Sequence, residues 1–214
     1  FFTLIGMQIS LPSKWSDIKI IDFIKIQQII KDKSFEEEYE DETLCEFERF
    51  LHLVAALSDK DVTEIKQLDL KSLGQIRTAL NFIYHPELIE KRLPQFFIHH
   101  KKYYRVITDI RKLSAGEYID LSTYTKDGSD TNLHQVMALF CYPCNWLGQR
   151  RKKPEDFAEQ LLDLPITVCY PIAVFFYQNF NNSLEAIRDY LLTEMERTVM
   201  ELKEEVTQSI GDGS

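Results

Sequence analysis

Apolar residues recur three and four positions apart through most of this chain, and that spacing commits it to packed amphipathic helices. The pattern is plain at Leu44, Phe47, Phe50, Leu51, Val54 and Leu57, then at Leu73, Ile76, Leu80 and Ile83, and again at Leu133, Val136, Met137 and Phe140. From Ser16 to about Lys33 the stripe is wider: Ile18, Ile20, Ile21, Phe23, Ile24, Ile26, Ile29 and Ile30 need more than one covering surface. Side chains that satisfy free amides mark where these helices begin. Ser16 with Asp17 in the first turn opens the first, and Asp69 caps one over about 70–84. Ser114-Ala115-Gly116-Glu117 is a capping box opening a helix to about Lys126. Pro154-Glu155-Asp156 starts a helix over 154–162, and another runs from Pro165 through Phe180. Shorter helical pieces are expected near 60–67 and 131–141.

Two segments follow a different rule. QFFIHH at 95–100 and KYYRVIT at 102–108 are rich in aromatic and β-branched residues around a polar His100-Lys101 turn, which predicts a β-hairpin near 95–108. MQISL at 7–11 suits a short strand ended by Pro12. The expected fold is therefore mainly α, a helical bundle with a small β-hairpin and a long C-terminal helix. Residues 7–182 are expected to form one compact domain, followed by an extended helix over 183–209.

That last segment carries a single apolar stripe: Leu184, Ile187, Leu191, Met195, Val199, Leu202 and Val206. The stripe covers 22 residues in six steps, about 3.67 per step, closer to an eleven-residue repeat than to a heptad, so a straight helix is expected rather than a leucine zipper. A one-striped helix docks on something, and these seven residues are the expected partner-binding surface. Truncation after Asn182 is accordingly expected to change the oligomeric mass measured by light scattering.

Charge narrows the partners. Lys plus Arg number 25 against 34 for Asp plus Glu, a formal net charge of −9, which argues against coating DNA along the whole chain. The charge is segregated, however. EEEYEDE at 36–42 places six carboxylates around one Tyr; it reads as a solvated loop or acidic helix start, because ligands at D-x-D-x-D spacing are absent. Seven basic residues (Lys91, Arg92, Lys101, Lys102, Arg105, Arg111, Lys112) crowd 91–112, and Arg150-Arg151-Lys152-Lys153 follow. With Tyr103 and Tyr104 alongside, Lys101, Lys102, Arg105 and Arg150–Lys153 make a basic patch that faces either nucleic acid or an acidic partner such as 36–42 of another copy. The net charge favours the acidic partner. Only seven Gly and seven Pro exclude a collagen-like or largely disordered chain.

Chemistry is sparse. Four cysteines in 214 residues do not make a disulfide scaffold, and a reducing compartment is the simpler reading. Cys141-Tyr-Pro-Cys144 follows a helix, the wrong context for a redox pair, which sits at a helix N-terminus. Zinc would need Cys169 and His134 to complete Cys141 and Cys144, with no second C-x-x-C in the chain; a zinc-stabilised regulator on these residues is the reading from a different class. His99 and His100 read as exposed turn residues, since neighbours on a strand point to opposite faces and do not share a metal. No G-x-S-x-G, P-loop, G-x-G-x-x-G or H-E-x-x-H occurs. Neither a catalytic residue nor a cofactor is expected, and the protein is not expected to be an enzyme.

The N-terminus, apolar but without a basic stretch or small-residue cleavage site, does not read as a signal peptide. Residues 1–6 precede the first Met, at position 7, and are given no functional weight. No run approaches eighteen apolar residues, so no membrane span is expected.

Several segments together carry a likeness. LPSKWSDIKIIDFIKI at 11–26, KYYRVITDIRKLSAGEYIDL at 102–121, and the pairs Tyr142-Pro143 and Tyr170-Pro171 resemble small proteins encoded among the structural genes of tailed bacteriophages of Bacteroides-like hosts. The likeness spans roughly residues 7–192, and its motifs are structural rather than catalytic. It implies a tail-assembly chaperone or minor virion component, acting in the host cytoplasm during assembly or within the virion. Implied partners are other phage structural proteins or copies of the chain itself, in an oligomer. A packaged or head–tail connector component with its basic face toward DNA is the alternative within this family. Cys141 and Cys144 lie outside the pattern.

Overall fold

The protein is mainly α with a minor β component, as seen in a computed structural model that describes residues 2–4, 9–90, 92–109, 112–125, 131–145 and 153–179. The chain divides into two compact units, Phe1–Ala173 and Val174–Ser214; the boundary expected from the sequence lay after Asn182. Within the second unit the described residues, 174–179, are helical. There Asn179 Nδ2 donates to the Phe175 carbonyl at 2.7 Å, and the Phe175 and Phe176 rings meet edge to face at 5.1 Å. Leu184, Ile187, Leu191, Met195, Val199, Leu202 and Val206 lie outside the described residues.

The first unit opens with β1 (Phe2–Leu4) and β2 (Ile9–Leu11), an antiparallel pair. Of the strand expected at 7–11, residues 9–11 are present as β2, and residues 2–4, given no weight from the sequence, pair with them. After a 3-10 turn at Trp15–Asp17 come α1 (Ile20–Lys31), α2 (Ser34–Glu38), α3 (Glu42–Ser58), α4 (Val62–Ile65) and α5 (Leu70–Leu80), which runs into a 3-10 turn at Asn81–Tyr84. α3 is the centre of this half, packing against α1, α2, α4 and β2. Its Phe50, Leu51, Leu53 and Val54 are buried together with Ile20 and Ile26 of α1 and Leu73, Ile76 and Leu80 of α5. The acidic 36–42 segment is helix-start material, as its chemistry suggested: Asp41 accepts from the Thr43 amide at 2.8 Å and caps α3. Asp61 and Asp69 cap α4 and α5 in the same way.

The start of α1 is a correction. Ser16 is exposed in the 3-10 turn and caps nothing; instead the Lys19 amide donates to Asp22 at 3.1 Å. The next two amides, of Ile20 and Ile21, donate to the Leu164 and Leu162 carbonyls, both at 2.9 Å, and Ile166 returns a bond to Ile18 at 2.8 Å. Free donors of a helix start are satisfied here by a strand-like strap from the far end of the unit, which no local capping signal can reveal. Burial of Trp15, whose Nε1 donates to the His85 carbonyl at 3.1 Å, fixes the turn that displaces Ser16.

The hairpin forms as expected: β3 (Phe96–His99) pairs antiparallel with β4 (Lys102–Val106). Then come α6 (Ala115–Thr125), α7 (Leu133–Phe140) and β5 (Cys141–Cys144). Ser114 and Glu117 form the expected reciprocal capping box on α6, the Glu117 amide donating to Ser114 Oγ and the Ser114 amide to Glu117 Oε2. β5 was not foreseen as a strand; it pairs with β4 and completes a three-stranded sheet in the order β3-β4-β5. Among the described residues β5 is an edge strand, the position at which a sheet tolerates a proline such as Pro143. The helix expected over 154–162 is two 3-10 turns, Pro154–Asp156 and Ala158–Leu161, interrupted at Phe157 (φ −141°), whose buried ring takes the backbone out of helical register. The last described helix, α8, covers 166–179. No described helix is long and apolar enough to cross a membrane.

Candidate functional site

Strand alternation sorts the sheet into two faces. Phe97, Tyr104, Val106 and Cys141 point inward and are buried, while Phe96, Ile98, Tyr103 and Arg105 point outward and are exposed. Lys102 and Arg105, three apart on one strand, therefore fall on opposite faces. Lys102 reaches the inner rim, its Nζ donating to Gln160 Oε1 at 2.9 Å. Lys153 is exposed at the start of the 3-10 turn, and Arg150, Arg151 and Lys152 lie outside the described residues. The basic run is thus divided along the sheet, with Lys101 in the turn.

That turn builds the most distinctive constellation in the first unit. His100 and Lys101 both have left-handed backbone angles, φ 45° and 60°, as a two-residue type I′ hairpin requires. Such turns favour Asn-Gly, so His-Lys carries strain of about 1 kcal/mol or more per residue. His100 is consequently a turn residue rather than a strand residue, and its ring swings to the same side as His99. The two rings lie 4.1 Å apart between centroids. Both reach Asp163: His99 Nε2 to Oδ1 at 2.8 Å and His100 Nε2 to Oδ2 at 2.8 Å. His99 Nε2 also lies 2.8 Å from the Gln160 carbonyl; since both of its partners are acceptors, that nitrogen carries the hydrogen. His100 is an exposed turn residue, as expected, but His99 is the last residue of β3 with a side chain only 10% exposed, and because alternation does not extend into the turn the two rings converge rather than diverge.

Partial burial pushes the Asp163 carboxyl up, but the hydrogen bonds from His100 and His99 and their charge outweigh it and hold the group below its ordinary range. Tyr104 backs the cluster. It is fully buried, stacks on Phe97 at 5.1 Å and lies 6.3 Å from the His99 ring. Its hydroxyl has no hydrogen-bond partner among the described residues, and burial, followed by the Asp163 charge and the Cys141 thiol, pushes its pKa up.

The cysteines do not assemble around zinc with His134. Cys141 faces inward on β5 and Cys144, three residues on, faces outward. Among the described residues the one gathered set of metal-capable side chains is His99, His100 and Asp163. Burial pushes the Cys141 and Cys169 thiols well up, away from the thiolate that redox exchange needs.

His134 sits apart on α7, 3.5 Å from Glu159, with Nδ1 buried and without a partner among the described residues. Burial holds its imidazole below the ordinary histidine value, with Glu159 opposing. A depressed folded-state pKa means the unfolded chain takes the proton first. The stability this contributes is complete above the unfolded value of about 6.5 and is lost as pH falls through the folded one. Unfolding free energy is therefore expected to drop as pH falls below about 6.5, with a shallower fall in His134→Gln when both are measured by urea titration.

A second feature lies on the helical half. Ile29 and Ile30 of α1, Leu44 and Phe47 of α3 and Tyr84 after α5 wall a groove of about 650 Å³. Leu44 is 52% exposed, Tyr84 58%, Ile30 42% and Phe47 36%, although the helical spacing had placed Leu44 and Phe47 with the core residues of their stripe. Glu46, Arg49 and Arg77 line the same groove. Arg49 is anchored there, its Nη2 donating to Glu36 Oε1 at 3.2 Å and to the Asp32 carbonyl at 3.3 Å, with the guanidinium over the Phe35 ring.

Comparison of the chain with protein-family models, curated proteins and solved structures finds no match.

Proposed function

With function left to the molecule's own surfaces, we propose that the protein is a non-enzymatic assembly protein of a tailed bacteriophage, working by protein–protein contact in the manner of a tail-assembly chaperone. The observation that carries this reading is the groove between α1, α3 and the residues after α5, where Ile30, Leu44, Phe47 and Tyr84 stand exposed side by side. Contiguous exposed apolar side chains on a water-facing helix bundle mark a contact surface. Its occupant is a second copy of the chain. The patch holds Glu46 together with Arg77, so it is complementary to itself across a twofold axis, as an isologous interface must be. Light scattering on the full chain tests this: the mass should rise above the 25.2 kDa of one chain with concentration, and a monomer throughout refutes it.

A second reading, a packaged or connector component with a basic face toward DNA, draws on Arg105 and Tyr103, which share the open face of the sheet. Mass spectrometry of purified particles separates the two. A chaperone is missing from finished particles, whereas a component is present at fixed copy number.

A further inference from the structure

We propose that His99, His100 and Asp163 form a binding site for a divalent first-row transition metal, zinc above all, which fastens the hairpin tip to the turn at 161–163. The donors are of the right kind. Two imidazoles and one carboxylate suit zinc and its neighbours, while magnesium and calcium require more oxygen ligands than one carboxylate offers. The donors are also in the right place. All three ligand atoms lie within 4.8 Å of one another, and each Nε2 is 2.8 Å from a carboxylate oxygen. A metal about 2.0–2.1 Å from each donor holds tetrahedral ligands about 3.3 Å apart, so binding asks for shifts well under the size of a side chain. Each imidazole binds as the neutral ring with its one hydrogen on Nδ1: a ring now protonated only at Nε2 moves that hydrogen to Nδ1, and a doubly protonated ring releases its Nε2 proton to water as the metal enters.

Three further observations fit a built site rather than a chance meeting of polar groups. The backbone at His100 is held at φ 45° although it is not glycine, a strained arrangement that brings its ring beside His99. Tyr104, its ring centroid 6.3 Å from that of His99, buries a hydroxyl with no partner among the described residues. One side remains open, His100 being 52% and Asp163 40% exposed. That side gives the metal its entry path and leaves a fourth position to water, while the Gln160 carbonyl lies 2.8 Å from His99 Nε2 on the inner side. The metal would join residues more than sixty positions apart in sequence, and ligation of the native state alone stabilises it.

The test uses the full chain, free of any histidine tag and stripped with a chelator. It is titrated with cobalt(II), followed by its visible absorption, and the cobalt is then displaced with zinc. One metal per chain is expected, with a melting temperature that rises on adding zinc. Asp163→Asn is expected to weaken binding about tenfold or more. So is the pair His100→Asn with Lys101→Gly, which installs the residues a type I′ turn prefers and thus keeps the hairpin folded. Cys144→Ser is expected to bind as the unaltered chain does. The proposal is overturned if the unaltered chain binds no cobalt at millimolar concentration, if the turn variant binds equally well, or if Cys144→Ser abolishes binding.

Discussion

Phe140→Ala is expected to remove about 3–5 kcal/mol of stability, enough to unfold much of a domain whose total is about 5–15 kcal/mol. Phe140 is fully buried and is the last residue of α7. Its carbonyl accepts from the Ile107 amide at 2.8 Å, just past β4, and the next residue begins β5. One ring therefore fills the core where helix and sheet join, and a cavity there is walled by a rigid helix end and a hydrogen-bonded strand, neither free to collapse into it. Urea unfolding of the variant measures the loss. A change below about 1 kcal/mol would show that α7 and the sheet do not share a core at this point.

The second large effect concerns association. Leu44→Asp combined with Phe47→Asp is expected to weaken self-association about a hundredfold or more, because each introduced carboxylate must lose its water in the contact without gaining a partner. The monomer itself should keep its melting behaviour, since both side chains are partly or largely exposed in it and neither belongs to the buried set of α3. That separation matters physically. Phe50, Leu51 and Val54 on the same helix are core residues, and charges there would unfold the chain and say nothing about contact.

How far the sequence could be read follows from how local each signal is. The amphipathic helices were legible because an α-helix reports its own burial at spacings of three and four, and the Ser114–Glu117 box and the Asp69 cap because their partners lie three residues away. β5 was hidden because Cys-Tyr-Pro-Cys has no strand pattern of its own; its extended form comes from pairing with β4, far back in the chain. The displaced start of α1 was hidden for the same reason, its amides being satisfied by residues near 164. The 3-10 turns at 154–161 follow from burial of the Phe157 ring, a tertiary demand that a proline and acidic first turn do not reveal.

The histidine cluster divides along the same line. That His100 and Lys101 form the two-residue loop was readable, and treating His100 as a strand residue sent its ring to the wrong face. That Asp163 would meet them was not readable, for nothing in Asp163-Leu164-Pro165 points to the hairpin. Leu44 and Phe47 show a further limit: helical spacing identifies an apolar stripe but does not say whether the chain's own core or a partner covers it.

Contact through that stripe is the central claim, and light scattering of the full chain beside the Leu44→Asp, Phe47→Asp variant tests it most directly. At matched concentration the unaltered chain should show a mass that grows toward a multiple of 25.2 kDa, while the folded variant stays at that value. Equal masses for the two, whether both monomeric or both assembled, would contradict it.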